Sequence, residues 1–546
     1  MLYSKLQVKF FPKSFRKLLY FSLISVTIIA IYAYLATSAI KYPDVELLRQ
    51  TAATKTELDT IISDVQLIKC FMHSCKAPEG YTKLEPPINY YEASVDSSAT
   101  GKLTTPLYFI SVKKQRIDAS TKILTDLTFE KPNGDDFEVI EIDRYKLFKK
   151  YCITNISSPI PKDLPLVHSI DVLFGSNDLI DSRLHHYSVH SNKFSEDIHP
   201  IISLFKLSTN KHDSWLSEVM SFSTLQQNQV VTAPDSKFKI LQLSDLHFGQ
   251  NLGRTCDSQS QMCSSDLKTV KFIEESIEKE KPNLVVITGD LIDLHRSVDY
   301  KSIILKSLQP ILKRNVNFVF TFGDEIEPNR FTNIREIKKT IVAFLQTLPN
   351  CYNTLDQVDN ELHGLTNYNL KVIKDDKELA LITILDSEDH FIDETQSNYL
   401  YRVHSASSQD SLFRLLFFHY PIGQFRPKGK FKIIGGYNEK HPLYTKTHDK
   451  VHGDILNCGY QVVSVGHEHE NDACILSEVE KDGVRQSIWL CYSSITGDSG
   501  VTKLDENYDR KVRLFELDFA GRKLLSWKRS EKNKKGFDYQ MIYEYK

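Results

Sequence analysis

Short apolar runs that stop at carboxylates set the rhythm of the middle of this chain. Ile240–Leu243 and Leu284–Thr288 are two such runs, followed by Asp245 and Asp290. A short continuous apolar run reads as a buried strand, and polar residues at its end mark a sheet edge that can carry a site. Between them Leu267, Val270, Ile273 and Ile277 recur near helical spacing within Leu267–Glu280. The unit is strand, loop, helix, strand, with the helix as a right-handed crossover between parallel strands. Downstream, helices are predicted over Lys301–Lys313 and Asn333–Leu348. Strands are predicted over Asn317–Phe322, Ala380–Leu385, Leu412–Phe418, Tyr460–Val465, Gln486–Cys491 and Lys511–Asp518. Helices alternate with strands first and strands then dominate, which fits an α/β chain folded as a two-sheet sandwich with loops at one rim.

Upstream the pattern changes. Leu107–Val112, Phe137–Ile142 and Ile170–Gly175 read as strands, and Lys131–Asp136 carries turn chemistry. Residues 80–235 are expected to form a β-rich accessory domain ahead of a catalytic domain at 236–546, with 41–79 as a stalk. Asp178, Asp181, His185 and His186 read as a solvated turn and strand edge, since no second cluster supports a metal there. Leu18–Ile40 is uncharged and long enough to cross a hydrocarbon core of about 30 Å. Lys5, Lys9, Lys13, Arg16 and Lys17 precede it in the tail 1–17. The positive-inside rule then predicts a single-pass type II anchor, with the bulk of the chain lumenal or extracellular along the secretory, vacuolar or plasma-membrane route. Cleavage after the small residues Ala36–Ser38 is the competing outcome.

The formal net charge of −2 gives no bulk electrostatic case for nucleic acid. The nine cysteines change the picture more. In a translocated chain they can oxidise, and spacing suggests Cys70 with Cys75, Cys256 with Cys263, and Cys474 with Cys491 across a hairpin. In a cytosolic chain all would be reduced core thiols. Asn155–Ser157 is one glycosylation sequon.

Four motifs carry the chemistry: Asp245-Leu-His247, Gly289-Asp290-Leu-Ile-Asp293, Phe418-His419-Tyr420-Pro421 and Gly466-His467-Glu468-His469. Each follows an apolar run. In this order they resemble the calcineurin-like metallophosphoesterases, and the flanking QLSDLHFG, KPNLVVITGD and VVSVGHEHENDAC are similar to the fungal phosphatase branch related to purple acid phosphatases. The resemblance implies an α/β/β/α sandwich and two divalent or transition metal ions, Zn, Fe or Mn. It implies Asp290 as the bridging ligand, with Asp245, His247 and His469 on one metal and Asp324, His419 and His467 on the other. Asp293 and Glu468 would orient ligand histidines. Asp293 stands where purple acid phosphatases place a tyrosine ligand, and His247 is a histidine they lack.

One position departs from the family. Where it has Gly-Asn-His, this chain has Gly323-Asp324-Glu325. Asp324 keeps a ligand oxygen, whereas Glu325 would replace a phosphate-contacting histidine by an anion. Losing one preorganised donor typically costs about 10²–10³ in rate. His295 is the expected substitute near the site. Two functions follow from the resemblance. The first is a membrane-anchored phosphoesterase acting on a phosphorylated protein or small phosphoester. The second is a catalytically impaired regulator, for example of a membrane protein such as the plasma-membrane proton pump.

Overall fold

The computed structural model describes residues 60–545 apart from 72–74, 94–104, 118–121, 134–135, 155–159, 162, 192–197, 209–229, 250–264, 294–298, 326–333, 354–360, 409–411, 439–441, 482, 499–508 and 534. The run Leu18–Ile40, the sequon at Asn155, Cys256 with Cys263, and His295 lie outside the described residues. Among the described residues no helix is long and apolar enough to cross a membrane.

Two sheets organise the second half. Lys237–Leu243 pairs in parallel with Leu284–Thr288, and that strand with Asn317–Thr321. On its other side it meets Lys511–Asp518 antiparallel, and Lys523–Ser530 and Phe537–Glu544 complete a six-stranded sheet. The second sheet has eight strands around the parallel set Lys377–Ile384, Phe413–Phe417, Val462–Val465 and Val484–Tyr492. Leu284–Thr288 and Phe413–Phe417 are buried at every position, as strands covered on both faces must be. Ile240, Val286 and Phe515 pack between the sheets against Ile382, Leu415 and Val462. Helices Ser265–Glu280, Tyr300–Leu312 and Ile334–Gln346 cover the outer face of the six-stranded sheet. Glu394–Ala406 and Lys450–Asn457 cover the outer face of the eight-stranded one. The layers are α/β/β/α, as expected.

Among the described residues the first half forms three three-stranded sheets. Its longest pairings join Thr60–Cys70 to Leu107–Arg116, and Pro165–Gly175 to His199–Ser208. Thr60–Cys70 lies inside the stretch expected to be a stalk and is instead a strand, because its apolar positions bury against Leu107–Arg116. This half shares a core with the other: Leu173, Leu179 and Ile201 cluster with Ile304 and Leu308 of helix Tyr300–Leu312. Polar contacts reinforce the join, with the Phe174 N–H donating to Ser302 Oγ at 2.8 Å and Lys301 Nζ 2.6 Å from Asp171.

The expectation of a solvated turn at 178–186 is corrected at one residue. Asp178 is exposed, but Asp181 is buried and accepts from Arg183 Nε and Nη2 and from Ser203 Oγ. Arg183 also reaches Asp171 at 2.7 Å. Removing one partner of a buried pair leaves the other charge uncompensated and costs about 3–5 kcal/mol. Arg183→Ala is therefore expected to lower the urea midpoint clearly; an unchanged midpoint would contradict the pairing.

Cys70–Cys75 and Cys474–Cys491 are bonded, and the second pair sits directly across an antiparallel register. Among the described residues Cys152 and Cys458 are thiols outside any disulfide, and the buried Cys351 Sγ lies 3.7 Å from Asn353 Oδ1.

Candidate metal centre

Parallel strands in register end together, so their trailing loops line one edge. Lys237–Leu243 delivers Asp245 and His247, Leu284–Thr288 delivers Asp290, and Asn317–Thr321 delivers Asp324. From the other sheet, Phe413–Phe417 delivers His419 and Val462–Val465 delivers His467 and His469. The loops interlock through the backbone: the Asp245 N–H donates to Gly289 O and the His247 N–H to Asp290 O.

These side chains form two groups. Asp245, His247, Asp290 and His469 present ligand atoms within 4.8 Å of one another, and so do Asp324, His419 and His467. The groups meet at Asp290, whose Oδ2 lies 3.5 Å from His247 Nε2 and 3.7 Å from His419 Nε2. Asp245, His247, Asp290 and His467 all have positive φ, between 46° and 65°. Non-glycine residues adopt this region at a cost, and clustering of such residues marks functional sites. Gly289, at φ 83°, leaves room for the histidine: a Cβ there would collide with the His419 ring.

The donors fit metal ions. His419 Nδ1 lies 2.9 Å from the Thr288 carbonyl, which assigns its hydrogen there. In the neutral ring its Nε2 is then a buried lone pair with no hydrogen-bond partner, directed at Asp290 and Asp324. His247 Nδ1 faces Asp293 at 3.3 Å, leaving Nε2 only 3.2 Å from His469 Nε2. A cation between such atoms resolves the crowding. Burial pushes His247 down, but Asp290 and Asp293 outweigh it and raise the imidazole to about 9. His419 likewise rises to about 9, burial being overcome by Asp290, Asp245 and Asp324. The carboxylates are thus strong enough to hold protons where metals would compete for the same sites. Burial also opposes ionisation of Asp245, yet His469, His419 and His247 hold its carboxyl well below the ordinary range.

Two expectations change. Glu325 does not face the open site. It is buried, with Oε1 accepting from the Leu291 N–H at 3.0 Å and Oε2 from the Gly323 N–H at 2.6 Å. It ties the loop of Asp290 to the loop of Asp324, because two stranded backbone donors next to it need an acceptor. Glu468 orients no ligand histidine; Arg426 at 2.8 Å and Asn471 at 2.9 Å occupy it instead. Asp293 does hold His247. The site also includes His390, which motif reading passed over. Its Nε2 lies 3.0 Å from Asp324 Oδ1, and its ring stacks on Tyr420. The signal was present in Leu379–Asp386, another apolar run ending at a carboxylate.

A two-sheet sandwich with carboxylates and imidazoles at the carboxyl ends of its strands is an arrangement that can hold metal ions. Residues 238–471 match the family described as calcineurin-like phosphoesterase. That matched domain is similar to those of fungal proteins and of plant proteins named as purple acid phosphatases. It is 35% identical over 315 residues to Protein SIA1 of Kluyveromyces lactis, covering 56% of this chain and 51% of that one. It is 28% identical over 344 residues to Phosphatase DCR2 of Saccharomyces cerevisiae, covering 57% of each. Probable inactive purple acid phosphatase 28 of Arabidopsis thaliana is 24% identical over 349 residues, 57% of this chain and 85% of that one. The chain thus spans little more than half the length of the first two relatives.

Proposed function

We propose that this chain is a membrane-anchored, metal-dependent phosphoesterase that hydrolyses a phosphorylated protein or a small phosphomonoester. The supporting observation is Asp290 Oδ2, which faces both ligand groups as a bridging carboxylate would. When bound, a pair of Zn, Fe or Mn ions would supply Lewis-acid polarisation of the phosphoryl group and an activated water. Asp245, His247, Asp290 and His469 would hold one ion, and Asp290, Asp324, His419 and His467 the other. The remaining work belongs to the chain. Asp293 and the Thr288 carbonyl fix the tautomers of His247 and His419, while Ser244 Oγ and the His467 N–H hold Asp245. The anchor reading rests on the uncharged run Leu18–Ile40 and the basic residues before it.

The withdrawal of Glu325 from the cleft favours a second reading, a metal-bearing regulator of a membrane protein with weak turnover. One preparation of the full chain separates the two. Two metals per chain and chelator-sensitive hydrolysis of para-nitrophenyl phosphate are expected. Metals without turnover would leave only the regulator, and no bound metal would sink both. For the anchor, protease added to intact microsomes should spare residues 236–546; their digestion in sealed vesicles would refute it.

A further inference from the structure

We propose that His390 is a phosphate-contacting residue of this centre, its Nε2–H, which faces Asp324 Oδ1, donating also to an oxygen of the bound phosphoryl group. The assignment rests on the phosphoesterase reading and adds a residue to it.

The carboxylate of Asp324 has two faces. Its Oδ2 points into the ligand group, 3.1 Å from His467 Nδ1 and 3.9 Å from His419 Nε2. Its Oδ1 points the other way and meets His390 Nε2 at 3.0 Å. His390 therefore stands on the open side of the would-be ligand Asp324. Its side chain is 45% exposed, against 1% for His419, so a ligand can reach it. A phosphoester oxygen arriving at the cluster would come alongside an imidazole already placed next to Asp324.

The placement is built rather than incidental. The ring lies flat on Tyr420, with centroids 4.1 Å apart and planes 9° apart, and Tyr420 in turn packs on His467 at 4.3 Å. Asp389 and His390 are both left-handed, at φ 56° and 66°, a conformation that persists only where surroundings enforce it. The enforcing contacts are visible. Thr445 Oγ1 donates to the His390 carbonyl at 3.0 Å, and the His390 N–H donates to Ser387 O at 3.1 Å. At the root of the loop, buried Lys338 lies 3.2 Å from both Asp386 and Glu388, and Asp386 accepts from the Leu365 N–H at 2.8 Å. A rigid aromatic shelf, a braced loop and an exposed donor are what a substrate contact requires, since preorganisation is what makes one hydrogen bond to charge effective.

Position 325 supplies nothing to this side, because both Glu325 oxygens are engaged with backbone donors. The imidazole therefore comes from a different loop, carried on the other sheet.

The test uses the full chain loaded with manganese, with metal content measured beside calorimetric binding of inorganic phosphate. His390→Ala should keep its two metals and bind phosphate about ten- to a hundredfold more weakly, the range for one hydrogen bond to a charged group. His390→Gln, which retains an N–H donor, should recover part of that loss. Unchanged phosphate affinity in the alanine variant would overturn the assignment. So would loss of a metal from it, which would make His390 a positioning residue acting through Asp324. If the unaltered chain holds no metal, the phosphoesterase reading itself fails, and this is seen before any variant is compared.

Discussion

Asp290→Ala is expected to remove the metal pair and to reduce phosphomonoester hydrolysis by more than about a thousandfold. Loss of one preorganised donor typically costs about 10²–10³, and this change removes a ligand shared by two ions. The side chain is placed for that role by one oxygen that faces His247 and His419 together, while its other oxygen accepts from the Asp324 N–H at 2.5 Å. Alanine deletes both functions. Asp290→Asn keeps an acceptor for Asp324 but lowers the charge, and so separates loop geometry from metal pairing. Metal stoichiometry is the decisive measurement. An alanine variant that still held two ions per chain would show that the bridge lies elsewhere.

Glu325→Ala should act on stability first and on catalysis only as a consequence. It strands the buried N–H groups of Leu291 and Gly323, each at about 1–3 kcal/mol. The loops carrying Asp290 and Asp324 then lose their tie, so thermal midpoint and metal content should fall together. Replacing Glu325 by His, the family's residue, should behave the same way rather than raise turnover. A gain in turnover with full stability would mean that residue 325 faces the cleft after all. The variant also has a pH signature. Burial, then the Asp290 carboxylate, raise Glu325 from 4.5 to about 8 in the metal-free protein. A carboxyl so raised takes up a proton on folding. Its stabilisation is full below pH 4.5 and is lost as pH rises through 8. Removing the side chain should flatten that decline, measured as thermal midpoint across pH 5–9 in chelator.

The contrast between these residues shows what the chain displays in one dimension. Asp245, Asp290, His419 and His467 were legible because each follows a strand buried on both faces, whose apolar run has a sharp end. The direction of Glu325 was not, since it depends on two N–H groups donated by loops that meet only in the fold. His390 lies six residues beyond Ile384, the last residue of its strand, and reaches Asp324 through two left-handed residues that no periodicity marks. The helix Glu394–Ala406 was missed although its capping box, Asp393 with Gln396, was readable. Its buried face rests on Tyr399, Leu400 and Val403 amid polar residues, too sparse a stripe to declare itself. Asp181 was misread because its partner Arg183 is two positions away, where charge looks solvated until Ser203 and Asp171 close over it.

The core shared by Leu173, Leu179, Ile201, Ile304 and Leu308 has a practical consequence for handling the molecule. A gene trimmed to start near residue 236 would encode a polypeptide whose helix Tyr300–Leu312 shows water the apolar surface it now hides against the strand Pro165–Gly175. Such a surface drives self-association. Severing the backbone between residues 208 and 230 should do less harm, because the two fragments would stay together on a sizing column until denaturant separates them.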